Sequence, residues 1–117
     1  MSSADRYQEL TTRINRHLAP FRTAAPAVMQ GFGAMARGAM AAGTLDEKTK
    51  ELIAMAIGVA SRCDGCLGFH AKALVRLGAT PEEFHEMLGV AVYMGGGPSL
   101  MYAAHALEAF EEFSQAA

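Results

Sequence analysis

The chain is predicted to be all-α, with about six helices, on three observations. Apolar residues recur at three- and four-residue steps, β-branched residues are too few and scattered to build a convincing strand, and proline, glycine and capping signals cut the 117 residues into helix-sized pieces. Half the chain is hydrophobic (51%), enough for one core and too short for two, so residues 1–117 are expected to form a single helical domain.

The first helix is expected over residues 3–18, where Tyr7, Leu10, Ile14 and Leu18 form a sparse stripe on a polar segment that Pro20 should end. A second starts near Pro26, a favourable first-turn residue, and carries Val28, Phe32, Met35 and Ala39 on one face as far as Gly43. "TLDE" (Thr44 to Glu47) reads as a capping box that launches a third helix at Leu45, running through "KTKELIAMAIGVAS". A fourth begins inside "CDGCLGFH" (63–70) and stops at Gly78. "TPEE" (Thr80 to Glu83) is a second capping box with Pro81 at the first helical position, starting a fifth helix that reaches about Met94. After "GGGP", Pro98 opens a sixth that ends near Phe113. The Gly95–Gly97 run follows no strand and lacks the Lys-Ser/Thr of a phosphate loop, so it is an interhelical turn. Met35, Met55, Met87 and Met94 fall on helical stripes, as adaptable core or subunit-contact residues.

Formal charge is −2, unevenly spread: Lys and Arg stop at Arg76, so residues 1–76 carry +4 and residues 77–117 carry −6. The asymmetry argues against a continuous basic surface for nucleic acid and is compatible either with two ordinary solvated faces or with the two halves meeting, within or between subunits. No long uncharged apolar run and no secretory h-region are visible, so neither a membrane span nor a signal peptide is expected. The expected location is cytoplasmic.

"CDGCLGFH" holds both cysteines of the chain. At 100° per residue, Cys63, Cys66 and His70 fall within an arc of roughly 60° and should face the interior together with Ala73, Leu74 and Leu77. Cys66 and His70 are an i, i+4 pair suited to proton exchange, whereas Cys63 lies nearer the helix start, where free N–H groups favour a thiolate. A purely structural disulfide gains little here, because closing so short a loop contributes about 2 kcal/mol against about 4.7 for a 100-residue loop. Zinc would need a fourth ligand from Glu51, His85 or His105, with no second CxxC or HxxxH present, and c-type haem needs His directly after the second cysteine. A dithiol redox site fits best, though not a thioredoxin, since no βαβ pattern surrounds it.

Lowering a thiol pKa from about 8.5 to about 6.5 raises the thiolate fraction at neutral pH about 25-fold, but the Brønsted slope returns about 8-fold in nucleophilicity. Peroxide chemistry therefore also needs a proton donor for the departing oxygen. His70 can serve if a carboxylate orients it, and Glu51, at the start of an uncharged run and on the stripe of Met55 and Gly58, is the candidate. His17, on the polar first helix, is expected to be exposed; His85 and His105 are left outside the site. On these grounds alone the two cysteines are nearly tied as nucleophile.

Glu51, Cys63, Cys66 and His70 spell E-x11-C-x2-C-x3-H. This resembles the alkyl hydroperoxidase D-like branch of the carboxymuconolactone decarboxylase family. The likeness covers about residues 20–113, including "DEKTKELIAMAIGVASRC" and "LGATPEEFHEML", with helix 3–18 appended. The resemblance implies that family's helical fold, an obligate oligomer (homotrimer or homohexamer) and a thiol-dependent peroxidase or disulfide oxidoreductase. It makes Cys66 the peroxidatic nucleophile and Cys63 the resolving cysteine, with His70 and Glu51 as proton relay. It also implies a small hydroperoxide substrate, an external dihydrolipoyl-type dithiol or thiol protein as electron donor, and no bound cofactor, metal, nucleic acid or membrane. Well-defined peroxidases of the family often carry His directly before the second cysteine, where this chain has Gly65. The alternatives are a non-catalytic helical oligomer with a redox-sensing or vestigial CxxC and, as a minor option, a decarboxylase-type enzyme using His70 as base.

Overall fold

Six helices follow one another in the computed structural model, which describes residues 5–117: α1 (Arg6–Ala24), α2 (Pro26–Met40), α3 (Glu47–Ala60), α4 (Asp64–Arg76), α5 (Pro81–Gly95) and α6 (Gly97–Ala116). No strand occurs among the described residues. Residues 3 and 4 of the expected first helix lie outside them.

The core sits between α3, α4, α5 and α6. Met55 and Val59 from α3 meet Leu67, Ala71 and Leu74 from α4, Phe84 and Leu88 from α5, and Phe110 from α6, all buried. Phe84 and Phe110 stack with centroids 4.3 Å apart. Ala103, Ala106 and Ala109 give α6 a small-residue face, and α4 packs most extensively against α6.

Helix α1 crosses α4 and α6 and inserts Tyr7, fully buried, into this core. Its N-terminus is capped from a distance. Asp5 makes no capping bond, and instead Glu112 Oε1 of α6 accepts the backbone N–H groups of Tyr7 and Gln8, both at 2.8 Å. The helix does not end at Pro20, as expected, but runs through it to Ala24. Pro20 and Arg16 are both exposed, so the carbonyl that loses its amide partner turns to water. The chain leaves the helix at Ala25 (φ −131°, ψ 61°), just before Pro26, whose ring disfavours helical geometry in its predecessor.

The second helix begins at Pro26 as expected but stops at Met40, and none of its residues is buried. Its stripe of Val28, Phe32 and Met35 is exposed. The third helix starts later than Leu45: Asp46, not Thr44, is the cap, accepting the Thr49 N–H at 2.7 Å. The Thr80 box forms as expected, with Thr80 and Glu83 bonding reciprocally and Pro81 opening α5. Oppositely charged halves meet at Arg6–Glu108 (3.3 Å) and Lys48–Glu83 (2.9 Å). Of the four methionines on stripes, Met55 is buried and Met87 half-buried, whereas Met35 and Met94 are exposed.

Candidate functional site

The turn between α3 and α4 places the cysteines. After α3 the Cys63 N–H bonds the Gly58 carbonyl (3.1 Å) and the Arg62 N–H bonds Val59 (3.2 Å), the paired closure of a Schellman motif. The left-handed residue this motif requires is Arg62 (φ 55°) rather than glycine; the same motif after α4 uses Gly78 (φ 76°). The chain turns directly into Cys63, the N-cap of α4, whose Sγ accepts the Cys66 N–H at 3.2 Å. Cys63 and Cys66 are joined as a disulfide, with Cα atoms 5.2 Å apart.

Cys66 packs against α3, where only a glycine fits comfortably: a Cβ on Gly58 would lie 3.3 Å from Cys66 Cβ. One turn further along α4, His70 Nδ1 meets Glu51 Oε1 at 2.6 Å. Glu51 is 7% exposed, on the same buried face of α3 as Met55 and Gly58. With Nδ1 donating to the carboxylate, Nε2 is left as the ring nitrogen able to accept or return a proton. All four expected residues thus come together, on two adjacent helices.

Their face of α4 differs from expectation. Leu67, Gly68, Ala71 and Leu74 enter the core, whereas Cys63, Cys66, His70, Ala73 and Leu77 are half-buried. The core stripe begins one position later than the cysteine stripe, which leaves sulfur and imidazole at the rim, where a reactant has access.

Gly65 and Gly68 face α1. A Cβ on Gly65 would lie 2.9 Å from Ile14 Cδ1, and one on Gly68 2.7 Å from Thr11 Cγ2. Position 65 is thus a seat for α1. Among the described residues no three His, Cys, Asp or Glu side chains group as metal ligands, with Cys63 and Cys66 joined to each other. His17 and His85 are exposed.

Three neighbours escaped the sequence reading. Asp64, first residue of α4, accepts the Tyr7 hydroxyl at 2.7 Å and contacts His105 Nδ1 at 3.0 Å, both through Oδ1. His105 is half-buried on α6, its ring tilted against Tyr102. Burial, and then the bond to Asp64, push the Tyr7 phenol well above its usual range, so it remains a donor. These partners lie 57 and 41 residues from Asp64, beyond any spacing rule.

The family model for "Carboxymuconolactone decarboxylase family" matches residues 26–109. An uncharacterized protein of Cupriavidus necator is 41% identical over 100 residues, spanning 86% of this chain and 88% of the relative. Uncharacterized protein 4 in the cox locus of Paracoccus denitrificans is 34% identical, over 80% of this chain and 84% of its own. Among solved structures, a carboxymuconolactone decarboxylase family protein from Legionella pneumophila, in its apo form, superposes with a TM-score of 0.92 at 60% identity, covering 94% of this chain and 98% of that one. A second, from Thermotoga maritima and described as having a possible part in the antioxidative response, gives 0.80 at 28% identity, with 90% of each chain covered.

Proposed function

The chain belongs to the carboxymuconolactone decarboxylase family, and on that premise we propose that it is a thiol-dependent peroxidase, reducing small hydroperoxides through Cys63 and Cys66. The observation that carries this reading is the Glu51–His70 contact of 2.6 Å, one helical turn beyond a cysteine pair already closed as a disulfide. A histidine oriented by a buried carboxylate supplies what a thiolate lacks, a proton for the departing oxygen.

In the proposed cycle the Cys66 thiolate attacks the outer oxygen of the hydroperoxide and the O–O bond breaks. The alkoxide takes a proton from His70 and leaves as an alcohol, and Cys66 becomes a sulfenic acid. The Cys63 thiolate attacks that sulfur, displacing hydroxide that leaves as water with a proton returned through His70, and the disulfide forms. An external dithiol of dihydrolipoyl type, or a thiol protein, then gives two electrons and two protons to the disulfide and is itself oxidised. The N-cap bond from the Cys66 N–H supports a thiolate on Cys63 in the resolving step.

Such a cycle needs a reducing compartment, which fits the cytoplasm. No helix among the described residues is long and apolar enough to cross a membrane. A homo-oligomer, trimer or hexamer, is part of the same proposal. Val28 and Phe32 on α2, Ile57 on α3 and Val90 and Tyr93 on α5 are all at least 60% exposed, large apolar side chains that a subunit contact would cover.

The test is stopped-flow oxidation of the reduced protein by hydrogen peroxide and an organic hydroperoxide, with mass analysis of the intermediate. Cys66→Ser is expected to abolish dithiol-dependent turnover, and Cys63→Ser to stop after one event with sulfenic acid on Cys66. Full turnover by Cys66→Ser, or a reduced wild type inert to both oxidants, overturns the proposal.

A further inference from the structure

We infer that Tyr7, Asp64 and His105 form a positioning unit for Cys63, setting how readily its thiolate forms, as a counterpart from α1 and α6 to the Glu51–His70 pair beside Cys66. The premise is the proposed cycling of the cysteine pair; the identity of the oxidant does not enter.

One carboxylate oxygen, Asp64 Oδ1, takes both contacts, from Tyr7 Oη at 2.7 Å and His105 Nδ1 at 3.0 Å. Tyr7 is a donor, so Asp64 is its acceptor, and His105 completes the set by donating from Nδ1–H. A tether between α1 and α4 would need only the tyrosine. The histidine on the same oxygen, brought from a third helix, does something a tether does not: it adjusts the charge that Asp64 presents.

That charge sits in the residue directly after Cys63. Two influences meet at the Cys63 sulfur. The Cys66 N–H at 3.2 Å and the start of α4 favour a thiolate, and a carboxylate on the adjoining residue, Asp64 in the first turn of α4, is the charge that would oppose it. Tyr7 and His105, by donating to Asp64, weaken the opposition. The other charged groups nearby are Arg62, directly before Cys63 and exposed, whose charge favours a thiolate and is the same in every variant below; Arg6, 5.3 Å from the Tyr7 ring and paired with Glu108 at 3.3 Å; and Glu112, whose Oε1 is bonded to the Tyr7 N–H. Arg6 and Glu108 are more than a third exposed and largely screened. Asp64 is the negative charge nearest Cys63 in sequence, and its two donors come from helices that carry no part of the Glu51–His70 pair.

The measurement is the Cys63 thiol pKa, read in a Cys66→Ser background from the pH dependence of alkylation, alongside the equilibrium of the intact pair with reduced and oxidised dithiothreitol. In that equilibrium dithiothreitol closes to its cyclic disulfide as the protein takes up two electrons and two protons. Asp64→Asn is expected to lower the thiol pKa by about one unit, the low end for a neighbouring charge because Asp64 is a third exposed. At pH 8 that moves the equilibrium about threefold toward the dithiol, or about 15 mV at 29.6 mV per tenfold. His105→Leu moves both quantities the other way. Tyr7→Phe, which removes only the phenol oxygen, is expected to act in the same sense as His105→Leu and replaces it if that variant does not fold. Folded variants that leave both quantities unchanged, or a charge removal and a donor removal that shift them in the same direction, overturn the inference while the cycling of the wild type stands. A wild-type disulfide that dithiothreitol does not reduce removes the premise and the inference together.

Discussion

Replacing Gly68 by alanine tests how α1 is held over the cysteines. The new Cβ would stand 2.7 Å from Thr11 Cγ2 and 3.5 Å from Tyr7 Cδ1. Thr11 cannot easily turn away, since it is 6% exposed and its hydroxyl is bonded to the carbonyls of Tyr7 (3.0 Å) and Gln8 (3.1 Å). Overpacking of this kind costs about 1–3 kcal/mol, and exchanging a mid-helix glycine for alanine returns about 0.5–1. Gly68→Ala is therefore expected to destabilise the protein by about 1–2 kcal/mol. Gly65→Ala is the control. Its Cβ would meet Ile14 Cδ1 at 2.9 Å, the far end of a half-buried, flexible side chain, so the change in stability should stay within about 0.5 kcal/mol. Urea unfolding of the oxidised protein, followed by far-UV circular dichroism at one fixed protein concentration, reads both midpoints; the slopes should match the wild type. A Gly68→Ala protein as stable as the wild type, or a Gly65→Ala protein that loses as much, would refute the packing of α1 described above.

Glu51→Gln keeps an oxygen for His70 Nδ1–H but removes the charge, and hydroperoxide turnover should fall about 10- to 100-fold; unchanged turnover would separate Glu51 from the chemistry. Glu112→Ala deprives two N–H groups of α1 of their acceptor and should cost about 2–4 kcal/mol in the same urea assay, with Glu112→Gln recovering most of it. Acidification should weaken the caps of α3 and α5. Asp46 is held below its ordinary 3.8 by Thr49, through its side chain first and its backbone N–H second, and Glu83 below 4.5 by the Thr80 N–H first and then Lys48. Because the folded-state values are the lower ones, this stabilisation is present above the ordinary values and disappears as pH falls through the folded ones. Asp46→Ala should accordingly lose less stability than the wild type on acidification below pH 3.8, which thermal unfolding across pH measures.

The parts of the molecule legible in the sequence are those whose cause is local. The Thr80 box and Pro81 mark the start of α5 within a residue, and the spacing of Cys63, Cys66 and His70 shows their shared face because a helix repeats over that distance. Glu51 is legible for a similar reason, as a charge on the buried stripe of its helix. Where two local signals compete, the wrong one can be chosen: Thr44 and Asp46 both offer a cap, and Asp46 is the one joined to a helical N–H. Pro20 shows a propensity overruled, since its cost is met where the affected backbone faces water. The Glu112 cap and the Tyr7–Asp64–His105 cluster join residues far apart in the chain, and no periodicity within either segment marks them.

Gly65 joins these two kinds of information. Read along the chain, it is the absence of a histidine beside the second cysteine, a missing proton carrier. In three dimensions the same position is filled from outside by Ile14, on the helix that also brings Tyr7 to Asp64. A side chain as large as histidine at position 65, unlike alanine, would compete with α1 for that space, and a displaced α1 would withdraw a hydrogen-bond donor from the residue beside Cys63. Seating α1 and keeping a relay histidine at position 65 are therefore alternatives in this fold. With α1 seated, two histidines are held by carboxylates of α3 and α4, His70 by Glu51 and His105 by Asp64. The first is on the cysteines' own helix, and the second depends on the packing of α6 against α4, so the inferred influence on Cys63 rests on tertiary contacts that the four-residue motif does not contain.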